Sequence, residues 1–138
     1  MAGACIFCAI VAGDEPASVV AREDGLLAFL DARPVFPGHV LVVPVGHVSD
    51  LAGLEEVGPL FSLVRRLALA VPRALGAQGA FVAVNDRVSQ SVPHLHAHVV
   101  PRTKGDGLRG FFWPRMKYGS LEERDAVARR IADALAAP

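Results

Sequence analysis

The sequence predicts an α+β fold: an antiparallel sheet of about five strands with helices on one side. Three observations point there. Two short apolar runs near the N-terminus are divided by Glu23-Asp24-Gly25, whose Asp-Gly pair favours a tight hairpin. One long stretch, residues 54–75, carries apolar residues at helical spacing. Two more strand-like runs follow it, and a capped helix closes the chain.

The elements follow in order. Residues 5–11 (CIFCAIV) form a short apolar run, ended by the turn-like Gly13-Asp14-Glu15-Pro16. Residues 18–22 and 26–30 read as the hairpin strands. Residues 34–38 form a loop, and residues 39–43 a third strand stopped by Pro44. In the long helix, Val57, Leu60, Phe61, Val64, Leu67, Leu69 and Val71 recur at helical spacing. Pro59 suits a first turn, whereas Pro72 marks a last turn or a kink. Residues 80–84 and 94–100 are the fourth and fifth strands. Ser120-Leu121-Glu122-Glu123 is a capping box, and it opens a helix whose inner stripe is Val127, Ala128, Ile131 and Leu135.

The 138 residues suffice for one domain with a single core, and 52% of them are apolar with no formal net charge. That is globular composition, with no basic excess to favour a nucleic acid polymer. No run approaches the 18 or more apolar residues of a membrane span, and the N-terminus lacks the pattern of a signal peptide. Two cysteines close together then suggest a reducing, cytoplasmic setting.

The chemistry concentrates in His94-Leu95-His96-Ala97-His98-Val99-Val100. On a strand, alternate side chains share a face, so the three imidazoles stand about 6.6 Å apart on one side. A single histidine is more often structural, but three in strict alternation are not ordinary core. They suit either a metal site of several imidazoles or nucleophilic catalysis. Cys5-Ile6-Phe7-Cys8 reads as a thiol redox pair, a zinc half-site or coincidence. His47 and His94 can complete a zinc set. Asn85, Ser89, Gln90 and Ser91 lead into the row, as a plain turn or as a phosphate cradle. Asp31 either caps a turn or holds sugar hydroxyls.

These residues resemble the histidine triad (HIT) signature, His-φ-His-φ-His-φ-φ. Residues 5–10, 27–31, 37–47 and 90–102 also fall in the family's order and spacing. The family comprises nucleotide hydrolases and nucleotidyl transferases, among them Hint-type phosphoramidases and Fhit-type dinucleoside polyphosphate hydrolases. The resemblance implies a five-stranded antiparallel sheet with two helices, one HIT domain over residues 1–138 with its core at about 4–102, and a homodimer. It makes His96 the nucleophile at an α-phosphorus, with His98 and His39 beside it. Asn85, Ser89, Gln90 and Ser91 then surround the phosphate, and Asp31 holds the ribose. Ile6, Phe7, Ile10, Phe29 and Ala32 form the slot for a purine base. Zinc-bearing members imply a structural site of Cys5, Cys8, His47 and His94, with His94 turned to the metal and His96 and His98 to the phosphate. An ideal strand does not give that division, so a twist or bulge near Pro93 is expected. A member with this pattern that binds nucleotide and zinc without catalysis is the alternative.

Two departures bear on substrate. The segment between Asn85 and His94 is shorter than the Hint pattern, with Ser89 where glycine is usual. The tail after Arg102 holds Phe111, Phe112, Trp113 and Tyr118 among Arg109, Arg115 and Lys117. It suits a dimer-packing segment or a lid over a polyphosphate chain.

Overall fold

The computed structural model describes residues 4–108 and 115–137. Arg109, Phe111, Phe112 and Trp113 of the tail lie outside the described residues. The chain forms two compact units, one ending at Asp106 and one starting at Gly107.

The first unit contains helix α1 (Ile6–Ala12), strands β1 (Val19–Glu23), β2 (Leu26–Leu30) and β3 (Val40–Pro44), helix α2 (Gly58–Leu75), and strands β4 (Gly79–Val84) and β5 (Ala97–Arg102). The strands form one antiparallel sheet in the order β1-β2-β3-β5-β4. Asp24 and Gly25 both take positive φ, 50° and 72°, the backbone of a type I′ hairpin turn. Val43 pairs with Leu27, Leu41 with Phe29, and His98 with Leu41.

Two expectations need correction. The sequence suggests two helices on one side of the sheet, but α1 is a third helix and covers the other face. Leu60, Leu63, Val64, Leu67 and Val71 of α2 pack with Ala28, Val40, Val42, Ala97 and Val99. Cys5 and Phe7 pack with Leu27, Phe29, Leu41 and Val43. A sheet covered on both faces explains why every residue of β3 is buried. Seven residues are too few to show helical periodicity, so the caps alone define α1. The Cys5 sulfur accepts the Cys8 N–H at 3.4 Å, and Gly13 takes φ 84° at the other end.

The second correction concerns the histidine row. Strand β5 begins at Ala97, not His94, and a bend at residues 91–94 precedes it. α2 likewise starts at Gly58, with Pro59 in its first turn and Pro72 in its last. At Pro72 the carbonyl still accepts the Gly76 and Ala77 amides, so the ring ends the helix without leaving those groups unpaired.

A tight turn sets the entry to β3. His39 N–H donates to the Phe36 carbonyl at 3.0 Å, and Gly38 sits at φ 97°. A Cβ at Gly38 would collide with the Leu75 methyl. Gly38→Ala is therefore expected to destabilise the protein by about 1–2 kcal/mol, and more if Leu75 does not move aside. Urea unfolding measures it; an unchanged midpoint would show that the turn tolerates a side chain.

In the second unit, helix α3 (Leu121–Ala136) starts at a working cap: Ser120 Oγ accepts the Glu123 N–H at 3.1 Å, and Glu123 accepts the Gly119 N–H at 2.7 Å. The expected inner stripe is not buried within the chain. Ile131 is 64% exposed and Leu135 85%. Among the described residues, no helix is long and apolar enough to cross a membrane.

Candidate functional site

The three row histidines share a face after all. Leu95, Ala97 and Val99 enter the α2-side core. His94, His96 and His98 therefore project toward α1, and the Phe7 ring meets both His94 (centroids 5.9 Å) and His96 (5.1 Å) edge-on. The three rings nevertheless differ without a reversal of faces. Their neighbours along that side are different: His47 lies beside His94 at 4.9 Å, and His98 beside His96 at 5.0 Å.

Main-chain partners fix each ring's tautomer. A carbonyl only accepts, so the imidazole nitrogen facing it carries the proton. His96 Nδ1 donates to the His94 carbonyl at 2.7 Å, which leaves Nε2 with a free lone pair. His94 Nε2 donates to the Pro44 carbonyl at 2.8 Å, which leaves Nδ1 as an electron-pair donor toward the cysteines. The Val35 N–H donates to His39 Nδ1 at 3.1 Å. His39 Nε2 then donates to His98 Nδ1 at 2.9 Å, and His98 keeps its own proton on Nε2.

This pattern requires neutral rings, and the surroundings favour that form at His39, His94 and His98. Burial pushes His98 down to about 4, with His96 and His39 adding to the effect and Asp31 opposing it. Burial also lowers His39, against the pull of Asp31. It lowers His94 against the Pro44 hydrogen bond. An unfolded His98 takes its proton near pH 6.5, whereas the folded one waits until about 4. The unfolded chain therefore binds more protons in between. Stability is full above about pH 6.5 and falls as pH drops toward 4, by up to about 3 kcal/mol from this group. Unfolding free energies across that window, compared with His98→Gln, measure the difference in slope. Equal slopes would sink the neutral, half-buried His98.

Asp31 follows β2. Its Oδ1 accepts the Arg33 N–H at 2.9 Å, and its Oδ2 lies 3.8 Å from His39 Nδ1. It opens onto a cavity of about 520 Å³ that contains all six residues of the expected nucleoside slot: Ile6, Phe7, Ile10, Phe29, Asp31 and Ala32. Sequence reasoning missed Pro16, Ala17, Ser18, Leu30 and Leu41, which complete the walls. Leu41 was within reach, because it lies two residues past His39 on a strand and so shares its face.

The expected phosphate cradle is less uniform. Asn85 is the first residue past β4, whose last residue, Val84, pairs with Ala97. Gln90 instead donates its amide to the Ser49 carbonyl at 2.6 Å. Ser91 lines a separate cavity with Cys5 and His47. Ser89 sits at φ 59°, a left-handed backbone that glycine adopts at no steric cost. Arg87 takes φ 72° in the same segment, where it pairs with Asp50 at 3.1 Å.

Cys5, Cys8, His47 and His94 each bring one ligand atom to within 4.8 Å of the others. Cys5 Sγ and Cys8 Sγ lie 3.4 and 3.6 Å from His94 Nδ1, and Cys8 Sγ lies 3.3 Å from His47 Nδ1. Tetrahedral zinc with ordinary bond lengths holds sulfur and nitrogen about 3.6 Å apart. The donor set therefore fits a structural zinc with no open position. The Pro44 carbonyl behind His94 is the kind of outer partner that orients such a ligand.

Among antiparallel α+β proteins, alternating imidazoles beside an apolar cavity with a single carboxylate are the mark of the histidine triad class. The chain belongs to the HIT domain family, whose model matches residues 12–105. An uncharacterized HIT-like protein of Mycobacterium tuberculosis is 36% identical over 96% of this chain and 93% of its own. The adenosine 5'-monophosphoramidase of Schizosaccharomyces pombe is 35% identical over 93% of this chain and 96% of its own. An asymmetrical bis(5'-nucleosyl)-tetraphosphatase from the same yeast is 34% identical over 71% of this chain and 54% of its own. Among solved structures, a HIT family protein from Bacillus subtilis superposes with TM-score 0.85 at 33% identity, covering 98% of this chain and 99% of its own. A zinc-bound histidine triad protein from Mycobacterium smegmatis gives TM-score 0.74 at 36% identity, covering 96% and 99%.

Proposed function

We propose that the protein is a hydrolase or nucleotidyl transferase that cleaves purine nucleotide conjugates at the α-phosphorus through His96. One observation carries this reading: the His94 carbonyl holds the proton of His96 on Nδ1 and leaves Nε2 as a nucleophile. Nε2 forms a bond to phosphorus as the bond to the leaving group breaks. The imidazole becomes cationic in that step, which strengthens its hydrogen bond to the carbonyl. The anionic phosphate draws a proton onto the His98–His39 pair, and that proton departs with the leaving group. Water then cleaves the phosphorus–nitrogen bond and returns a proton. The apolar walls take the base by packing, and Asp31 accepts hydrogen bonds from ribose hydroxyls.

Cys5, Cys8, His47 and His94 hold a structural zinc in this reading. It supplies a fixed point for the N-terminal segment and no chemistry at phosphorus. A homodimer, a single HIT domain over the whole chain and a cytoplasmic location complete the proposal; light scattering tests the first.

The experiment mixes the protein with an AMP phosphoramidate and, separately, with diadenosine tetraphosphate, then looks by mass spectrometry for a nucleotidyl adduct on the His96 peptide. An adduct with turnover is expected, and the ratio of kcat/KM names the preferred leaving group. AMP bound without adduct or turnover would mark a binding module instead.

A further inference from the structure

We infer that the metal centre and the nucleotide cavity are thermodynamically coupled, with helix α1 and Phe7 as the link. The inference rests on the zinc and nucleotide readings above and goes beyond both.

Cys5 has two tasks. It is the N-cap of α1, and it is one of the four clustered metal-ligating residues. α1 has seven residues, too few to persist in water by itself. Its far end is closed by Gly13 and by Arg22, which donates to the Val11 carbonyl at 2.9 Å. Its near end is capped by the Cys5 sulfur, which accepts the Cys8 N–H. The same short helix gives Ile6, Phe7 and Ile10 to the nucleotide cavity. Phe7 is buried and packs edge-on against His94, His96 and Phe29 at once, with centroids at 5.9, 5.1 and 5.6 Å. One ring therefore touches a metal ligand, the proposed nucleophile and a wall of the base slot.

Zinc fixes Cys5, Cys8 and His94, and with them the cap and the seat of Phe7. Without zinc, ordering of three cavity residues falls to the nucleotide's own binding energy. Coupling free energy is reciprocal, so nucleotide must tighten zinc by the same factor. Direct attraction between the ion and the phosphate contributes little, because two thiolates neutralise the dication.

The test is a linkage cycle on the full chain. AMP affinity is measured by calorimetry on metal-free and zinc-loaded protein, and zinc affinity by competition with a chromophoric chelator, with and without saturating AMP. AMP is expected to bind at least tenfold tighter to the loaded protein, and zinc at least tenfold tighter with AMP. Phe7→Leu, checked by circular dichroism, is expected to keep one zinc and reduce the coupling to under twofold. If metal-free protein loses its fold, the chelator competition, started from the loaded side, still reads the factor. A wild-type factor under twofold with both ligands bound overturns the inference alone. Full coupling in Phe7→Leu removes Phe7 as the link. A chain that takes up no stoichiometric zinc, or binds no AMP, overturns the corresponding reading and this inference with it.

Discussion

His96→Asn is expected to fold normally and to lose at least three orders of magnitude in turnover. The ring of His96 is buried, and its Nδ1 donates a hydrogen bond to the His94 carbonyl. The asparagine amide places an N–H donor at a similar reach, so the carbonyl stays paired and the stability cost is on the order of 1 kcal/mol. The Nε2 lone pair has no counterpart in asparagine. A thousandfold loss corresponds to about 4 kcal/mol of lost transition-state stabilisation, a modest demand for removing a nucleophile. Steady-state kinetics with an AMP phosphoramidate and a thermal melt check both halves. Activity within tenfold of the parent would end the role given to His96.

The second large effect concerns the metal. The protein is expected to carry about one zinc per chain, and chelation should lower its melting temperature by about 10 °C. Zinc-finger peptides gain on the order of 10 kcal/mol from such a site because nothing else folds them. Here α2 and the sheet have their own apolar core, so loss falls on α1 and the face it covers. A loss of about 3 kcal/mol in a chain of this size gives the stated shift. Cys5→Ser should melt early and ignore the chelator. A wild-type melt unmoved by chelation would leave the four clustered side chains as a packing feature.

The hairpin and the sheet were legible because their signals are local. Asp24-Gly25 demands the turn it makes, and the run after it is apolar on both faces. α1 was not, since seven residues give under two turns of pattern and its cap is a cysteine, a residue whose metal chemistry masks its capping role. The stripe of α3 was legible as a pattern, but a pattern does not say what covers it. At the site, residue types and spacing pointed to His94, His96 and His98, and the family resemblance pointed to the cavity wall. The bonds that make the histidines unequal come from the Pro44 and His94 carbonyls and the Val35 amide. Backbone groups leave no trace in a string of side chains. Ser89 shows the converse: its identity departs from the family's glycine, yet only the backbone angle reveals why glycine is usual there.

Those three backbone bonds separate two properties that side chains ordinarily control together. Where the protons sit depends on two peptide carbonyls, which every residue supplies, and on one N–H, which every residue but proline supplies. What the cavity prefers depends on side chains such as Ile10, Ala17 and Ala32. On the proposed function, those three side chains can change to suit a different base or leaving group while the acid–base wiring stays where it is. Val35→Pro, at a residue outside those walls, would instead remove the N–H that donates to His39 Nδ1.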